Sequence, residues 1–245
     1  MDDEKHKVAL VIGGSRGIGG AITRRLAADG VRVCFTYRSR AEDAEALVRS
    51  LARTSEIVAL PLDAGRLTAA DEAVAAVTAR FGRLDILVVN AGTAIGGPLG
   101  DYVLEAFDDV FSLNVRSPFL AARAAARVMR DDGRIVIIGS IMAARTPADG
   151  ATLYAASKAA LVGMVRGLAR DLGARGITAN LVQPGPTETE RNPSDGPDAA
   201  ELHGHLAIRR HATPDEVAAL VGYLTSDAAA YVTGSVYNID GGFSA

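Results

Sequence analysis

The chain has 245 residues, 49% hydrophobic and 22% charged, which suits one compact domain with a sizeable core and excludes a disordered tail or a small stapled scaffold. A formal net charge of −3 gives no electrostatic case for nucleic acid, and the single Cys34 excludes an intrachain disulfide and fits a reducing, cytoplasmic setting. No run approaches the roughly 18 uncharged apolar residues that a membrane helix needs, and the charged MDDEKHK opening does not resemble an export signal.

Val8–Ile12 is a short continuous apolar run, as expected of a strand covered on both faces. It leads into Gly13-Gly14-Ser15-Arg16-Gly17-Ile18-Gly19, and AITRRLAADG then reads as a helix ending at Gly30. A glycine-rich turn between strand and helix leaves backbone N–H groups to face an anion, with the helix dipole behind them. Gly13, Gly17 and Gly19 can serve a tight turn, close phosphate approach and close helix packing, so the loop is a nucleotide-site candidate that includes Ser15, Arg16 and Ile18. The spacing is GxxxGxG rather than GxGxxG.

The second strand, Val31–Tyr37, ends in Tyr37-Arg38-Ser39-Arg40. An NAD site wants an acidic residue here, about 20 residues past the loop, to accept from the ribose hydroxyls. None is present. Arg16, Arg38 and Arg40 offer guanidinium groups suited to a 2′-phosphate, or else form a solvated basic turn. Ser39 either caps the helix starting near Ala41 or donates to the same phosphate. Helix 41–53, strand Ile57–Leu60, helix 68–80 and strand Asp85–Val89 continue the alternation. Asp63-Ala64 and Asn90-Ala91-Gly92 follow the third and fourth strands, at the carboxyl edge where open parallel sheets bind ligands. Asp63 suits an adenine edge, and the small residues of the second stretch let a flat cofactor approach.

Residues 101–130 read as helical with a break near Pro118. Asn114, in the apolar VFSLNVRSPFLAA, is either a structural tie or part of an active-site network. A fifth strand, RIVIIGS, delivers Ser140 to the ligand edge. Helix 152–174 carries Tyr154 and Lys158 four residues apart, on one face. Such a lysine favours the phenolate and brings the tyrosine pKa towards neutrality; the bland alternative is a packed tyrosine beside a snorkelling lysine. Ser140 and Tyr154 together can polarise one carbonyl oxygen. Ser140 lies outside any GxSxG, and His203 and His205 lack partners at ligand spacing, so neither a hydrolase nor a metal site is expected. Strand Ile177–Val182 leads to Gln183-Pro184-Gly185-Pro186-Thr187. The Pro/Gly/charge-rich segment 186–212, with a short helix near 198–208, reads as a hinged lid. A helix over Pro214–Thr225 and a strand over Ser235–Ile239 precede Asp240-Gly241-Gly242.

Gly13-x-x-x-Gly17-x-Gly19, Asn90-Ala91-Gly92, Asn114, Ser140, Tyr154-x-x-x-Lys158, Pro184-Gly185 and Asp240-Gly241-Gly242 occur in that order. With them the chain resembles the classical short-chain dehydrogenase/reductase family over essentially its whole length. It looks most like bacterial 3-oxoacyl-(acyl carrier protein) reductases and related polyketide and naphthol ketoreductases. The resemblance implies an α/β, three-layer, doubly wound Rossmann-type fold with a seven-stranded parallel sheet, in one NADP-binding catalytic domain spanning 1–245. It assigns Asn114, Ser140, Tyr154 and Lys158 as a catalytic tetrad and Pro184, Gly185 and Thr187 as contacts at the nicotinamide end. It assigns Arg16 and Arg38 to NADP selection. Tyr154 would donate the proton, Ser140 would hold the substrate oxygen, and Lys158 would lower the tyrosine pKa and bind the nicotinamide ribose. Asn114 would anchor a water joining lysine to solvent. An NADPH-dependent ketoreductase acting on a 3-oxoacyl thioester or related ketone, free or carrier-protein-linked, follows, as does a homotetramer. The alternatives are an NAD-dependent secondary-alcohol dehydrogenase and a redox-silent nucleotide-binding regulator or scaffold. Two departures stand out: Ile12 replaces the threonine of many members, and the Ser140 to Tyr154 interval is one residue longer than in much of the family.

Overall fold

The computed structural model describes residues 6–147 and 149–245; most of the charged opening (Met1–Lys5) and Ala148, in the loop before Tyr154, lie outside the described residues. Seven parallel strands, β1 (Val8–Ile12), β2 (Arg32–Tyr37), β3 (Ile57–Pro61), β4 (Ile86–Val89), β5 (Arg134–Ile138), β6 (Thr178–Pro184) and β7 (Val236–Ile239), form one sheet in the order β3-β2-β1-β4-β5-β6-β7. Every residue of β1, β4, β5 and β6 is buried, the physical consequence of covering a parallel sheet on both faces.

The pleat divides the core in two. Val8, Leu10 and Ile12 of β1 point into a cluster with α3 (Ala69–Phe81), α5 (Ser117–Val128) and α6 (Thr152–Leu172). Ala9 and Val11 point the other way, into a cluster with α1 (Gly17–Ala28), α2 (Ala41–Leu51) and α8 (Pro214–Thr225). This is the expected three-layer, doubly wound arrangement, with alternating side chains of one strand feeding opposite layers. Because β1 has β2 on one side and β4 on the other, successive crossovers turn away from each other there, and a crevice opens at their carboxyl ends.

The break expected near Pro118 in the 101–130 helix falls just before it, and two other readings differ in detail. α4 (Leu104–Phe111) passes into a π-helical turn over Ser112–Arg116, and Pro118 lies in the first turn of α5, where its missing N–H costs nothing. The helix expected near 198–208 is shorter, comprising only α7 (Ala199–Gly204). Ser39 does not cap α2: Arg40 precedes the helix in a left-handed conformation (φ 61°) with no side-chain cap. No helix of the described residues is long and apolar enough to cross a membrane.

Candidate functional site

A cleft of about 620 Å³ opens along the carboxyl edge of β1, β2, β4, β5 and β6. Its floor is the loop after β1. Gly13 (φ +80°) and Gly17 (φ +52°) adopt left-handed conformations that favour glycine. A Cβ at Gly13 would come 2.9 Å from the Ala91 N atom, and one at Gly19 would collide with the Gly13 carbonyl. Gly13, Ser15, Arg16, Gly17 and Ile18 line the cleft; Gly19 does not, and its role is to let α1 pack against the loop. The loop is fixed from two sides. Asn90 Nδ2 donates to the Gly13 carbonyl (2.8 Å), and Gly13 N–H donates to Thr36 Oγ1 (3.0 Å). Thr36, on β2, thus supplies a loop-fixing hydroxyl in a chain whose residue 12 is isoleucine.

One wall comprises Tyr37, Arg38 and Ser39 after β2 and Leu62, Asp63 and Ala64 after β3. Arg38 is exposed and makes no ion pair among the described residues. Asp63 Oδ1 accepts from Gly65 N–H at 3.0 Å, so part of its capacity is spent on its own turn. Asn90, Ala91 and Gly92 line the middle, with Pro184, Gly185 and Thr187 opposite. Gly185 is required by close approach, since a Cβ there would stand 2.7 Å from Asp240 Cα. That contact explains why the Pro-Gly after β6 and the Asp-Gly-Gly after β7 occur together.

Ser140 emerges from β5 and Tyr154 and Lys158 from the first turns of α6, and all three reach the cleft. Ser140 Oγ accepts from Met142 N–H at 3.2 Å, and its hydroxyl favours the ionised form of the Tyr154 phenol. Lys158 is buried, its Nζ donating to the Ile138 carbonyl (3.1 Å) and lying 5.8 Å from the Tyr154 ring centroid. Asn114 is fully buried behind them. Its Oδ1 accepts from Thr93 N–H (2.9 Å), and its Nδ2 donates to the Thr93 carbonyl (2.8 Å) and Ser157 Oγ (2.9 Å). A Cβ on Gly92 would stand 3.2 Å from Asn114 Oδ1 and 3.3 Å from Lys158 Nζ, so glycine lets these groups converge.

The family model described as Enoyl-(Acyl carrier protein) reductase matches residues 12–244. The chain is 45% identical over 239 residues to the cyclic-di-GMP-binding biofilm dispersal mediator protein of Escherichia coli strain K12, covering 98% of each. It is 34% identical over 240 residues to the 3-oxoacyl-[acyl-carrier-protein] reductase of Synechocystis, covering 96% of each. Among solved structures, a short-chain dehydrogenase from Burkholderia cenocepacia J2315 in complex with NADP superposes with a TM-score of 0.96 at 47% identity, covering 98% of both chains. The chain belongs to the short-chain dehydrogenase/reductase family.

In this short-chain dehydrogenase/reductase the Tyr154 pKa stands above its ordinary value in the free protein. Burial of the phenol raises it, opposed by the Ser140 hydrogen bond and the Arg191 charge. Lys158 itself is lowered from 10.5 to about 8, by burial first and the Arg191 cation second. Asn114 Oδ1 and Nδ2 hydrogen-bond Thr93 and Ser157, so its side chain ties the fold. Sequence reasoning missed Thr36 and did not single out Thr93, or Thr189–Asn192 within segment 186–212; all line the cleft. Thr36 sits inside an apolar strand run, where its hydroxyl was the available signal. His203 Nε2 lies 2.8 Å from His211 Nδ1, a pairing invisible from HGH alone.

Proposed function

We propose that the protein is an NADPH-dependent ketoreductase acting on a 3-oxoacyl thioester or a related ketone, free or carried on an acyl carrier protein. The observation that carries this reading is the Ser140–Tyr154 hydroxyl pair in the cleft beside a buried Lys158. Burying an ammonium is costly, and a redox-silent nucleotide-binding protein has no use for a cation placed beside a proton donor.

NADP fits the residues present. The Gly13–Gly19 turn leaves room for phosphates where a Cβ would strike backbone, Arg16 and Arg38 reach the cleft, and no carboxylate follows β2 to accept from a free ribose hydroxyl. That last point also disfavours the NAD-linked alcohol dehydrogenase. Ala91 and Gly92 accommodate the flat rings, with Pro184, Gly185 and Thr187 closing over the nicotinamide end. When bound, the cofactor supplies the reducing equivalent that no side chain can.

The chain supplies the rest. Tyr154, kept protonated by burial, donates its phenolic proton to the substrate carbonyl oxygen. Ser140 holds that oxygen: Met142 N–H occupies one acceptor site on Oγ, leaving the hydroxyl hydrogen to donate as negative charge develops. Lys158 places a positive charge beside the forming phenolate. Segment 186–212 acts as a lid that excludes water. Its two ends are joined where Glu188 N–H donates to the Ala212 carbonyl (2.8 Å) and Ala212 N–H to the Pro186 carbonyl (2.9 Å), as a hinged flap requires. The assembly is a cytoplasmic homotetramer.

The test is a panel of 3-oxoacyl thioesters, simple ketones and quinones, each assayed by loss of NADPH and NADH absorbance. Reduction of one class with NADPH preferred is the expected result. Absence of turnover across the panel, with NADPH nevertheless bound, would favour the redox-silent reading.

A further inference from the structure

The lid reaches the cleft through a tight turn. Thr189 N–H donates to the Asn192 carbonyl (3.2 Å) and Asn192 N–H to the Thr189 carbonyl (3.0 Å), which puts Glu190 and Arg191 at its tip. The turn lies on the glycine loop, since a Cβ at Gly17 would stand 3.4 Å from Thr189 Cγ2. Its two charged residues diverge. Arg191 Nη1 donates to the Gly92 carbonyl at 3.3 Å, and its charge bears on both Tyr154 and Lys158. Glu190 Oε2 goes to the other end, accepting from Arg16 Nη1 at 2.7 Å and from Arg40 Nη1 at 2.5 Å. Arg40 is also held by Asp43, at 3.0 Å. One lid carboxylate therefore joins the glycine loop to the turn after β2, across the cationic rim that lacks an acidic residue of its own.

We propose that Glu190 couples 2′-phosphate recognition to the lid: its carboxylate holds Arg16 and Arg40 in the free protein and releases them when the 2′-phosphate of NADP arrives. This rests on the reading of Arg16 and Arg38 as the phosphate-selecting pair. A phosphate brings up to two negative charges and three acceptor oxygens to the guanidinium groups, so it outcompetes one carboxylate and repels it at close range. The neutral hydroxyl of NAD at the same place does neither. Glu190 thus opposes NADPH binding without opposing NADH, and the lid turn is freed only by the phosphorylated cofactor. Arg38, which carries no ion pair among the described residues, is left to make the first contact.

The pairs are exposed, with 60% of the Glu190 side chain and 46% and 49% of those of Arg16 and Arg40 accessible, so the effect is modest. Removing both should change affinity by about three- to tenfold. The experiment is fluorescence titration of NADPH and NADH into the parent, Glu190→Gln and, as a control for loss of a lid charge, Glu201→Gln on exposed α7. Glu190→Gln should bind NADPH about three- to tenfold more tightly and NADH to within about twofold of the parent. The gain should shrink as salt is raised, and Glu201→Gln should match the parent. Unchanged or weaker NADPH binding by Glu190→Gln, an equal gain for NADH, or the same gain in Glu201→Gln would overturn the proposal. A parent that binds both cofactors equally would instead remove the phosphate-selecting reading on which it rests.

Discussion

Lys158 carries the main electrostatic cost of the site. Its folded-state value of about 8 lies below the ordinary 10.5, so between those pH values the folded chain binds fewer protons than the unfolded one and stability rises with pH. Below about pH 8 the protein carries the buried charge at a cost of roughly 3 kcal/mol. Lys158→Met should therefore stabilise the free protein against urea at neutral pH by up to roughly 3 kcal/mol while abolishing turnover. That gain should shrink above about pH 8 and vanish near 10.5; a destabilised variant at neutral pH would refute it. The same titration governs catalysis. Reduction needs the phenol protonated, which its raised pKa secures, and the lysine charged, so kcat/KM should be flat up to about pH 8 and fall above it. Tyr154→Phe keeps the ring and removes the proton, so single-turnover reduction should drop at least ~100-fold with NADPH affinity nearly intact. Parental rates in that variant would mean that the proton comes from elsewhere. The identities of these residues were legible in the sequence because helix spacing and strand ends placed them on one edge. Their protonation was not, because burial and the Arg191 charge come from distant segments.

At the scale of elements, the continuous apolar runs announced the strands, and the Gly, Pro and Asn turns announced the ligand edge. What periodicity could not reveal was the π-helical turn at Ser112–Arg116. It adds a residue to the helical path between α4 and α5, and Asn114 within it is fully buried. There the amide meets the backbone of Thr93 and the Ser157 hydroxyl, so the loop after β4, the π-helical turn and α6 meet at one side chain. Asn114→Ala leaves the Thr93 N–H and carbonyl without their partner and opens a small void. We expect a loss of about 2–4 kcal/mol in urea unfolding, with weaker NADPH binding because Thr93 lines the cleft. Unchanged stability with reduced turnover would restore a purely catalytic role for this residue. The contacts of the Thr189–Asn192 turn, within segment 186–212, were not legible for a related reason: a loop's composition shows that it is a loop, but not which charge reaches which wall.

For the whole molecule, the telling feature is apolar surface on α4 and the start of α5. Leu104 is 82% exposed, Phe119 51% and Phe107 47%, and Phe107 stacks on Phe111 with ring centroids 4.4 Å apart. Leu104 and Phe107 lie at helical spacing, with the half-buried Phe111 beneath them packed against Ala106, Val110 and Leu153, so the exposure is a patch and not a scatter of single residues. The family resemblance implies a homotetramer. α5 and α6 supply small buried residues to the sheet core, while the α4 patch is left over. Closed symmetric assembly is the ordinary way to cover such a surface. The parent should therefore sediment as four copies of the 25.4 kDa chain. Leu104→Glu combined with Phe107→Glu should shift it to a smaller species that keeps its fold, because both side chains already face solvent within one subunit. Because Asn114 and the turn that holds it directly follow α4, dissociation should also lower turnover. A parent that sediments at about 25 kDa while fully active, or a double variant that remains tetrameric, would remove this surface as the basis of assembly.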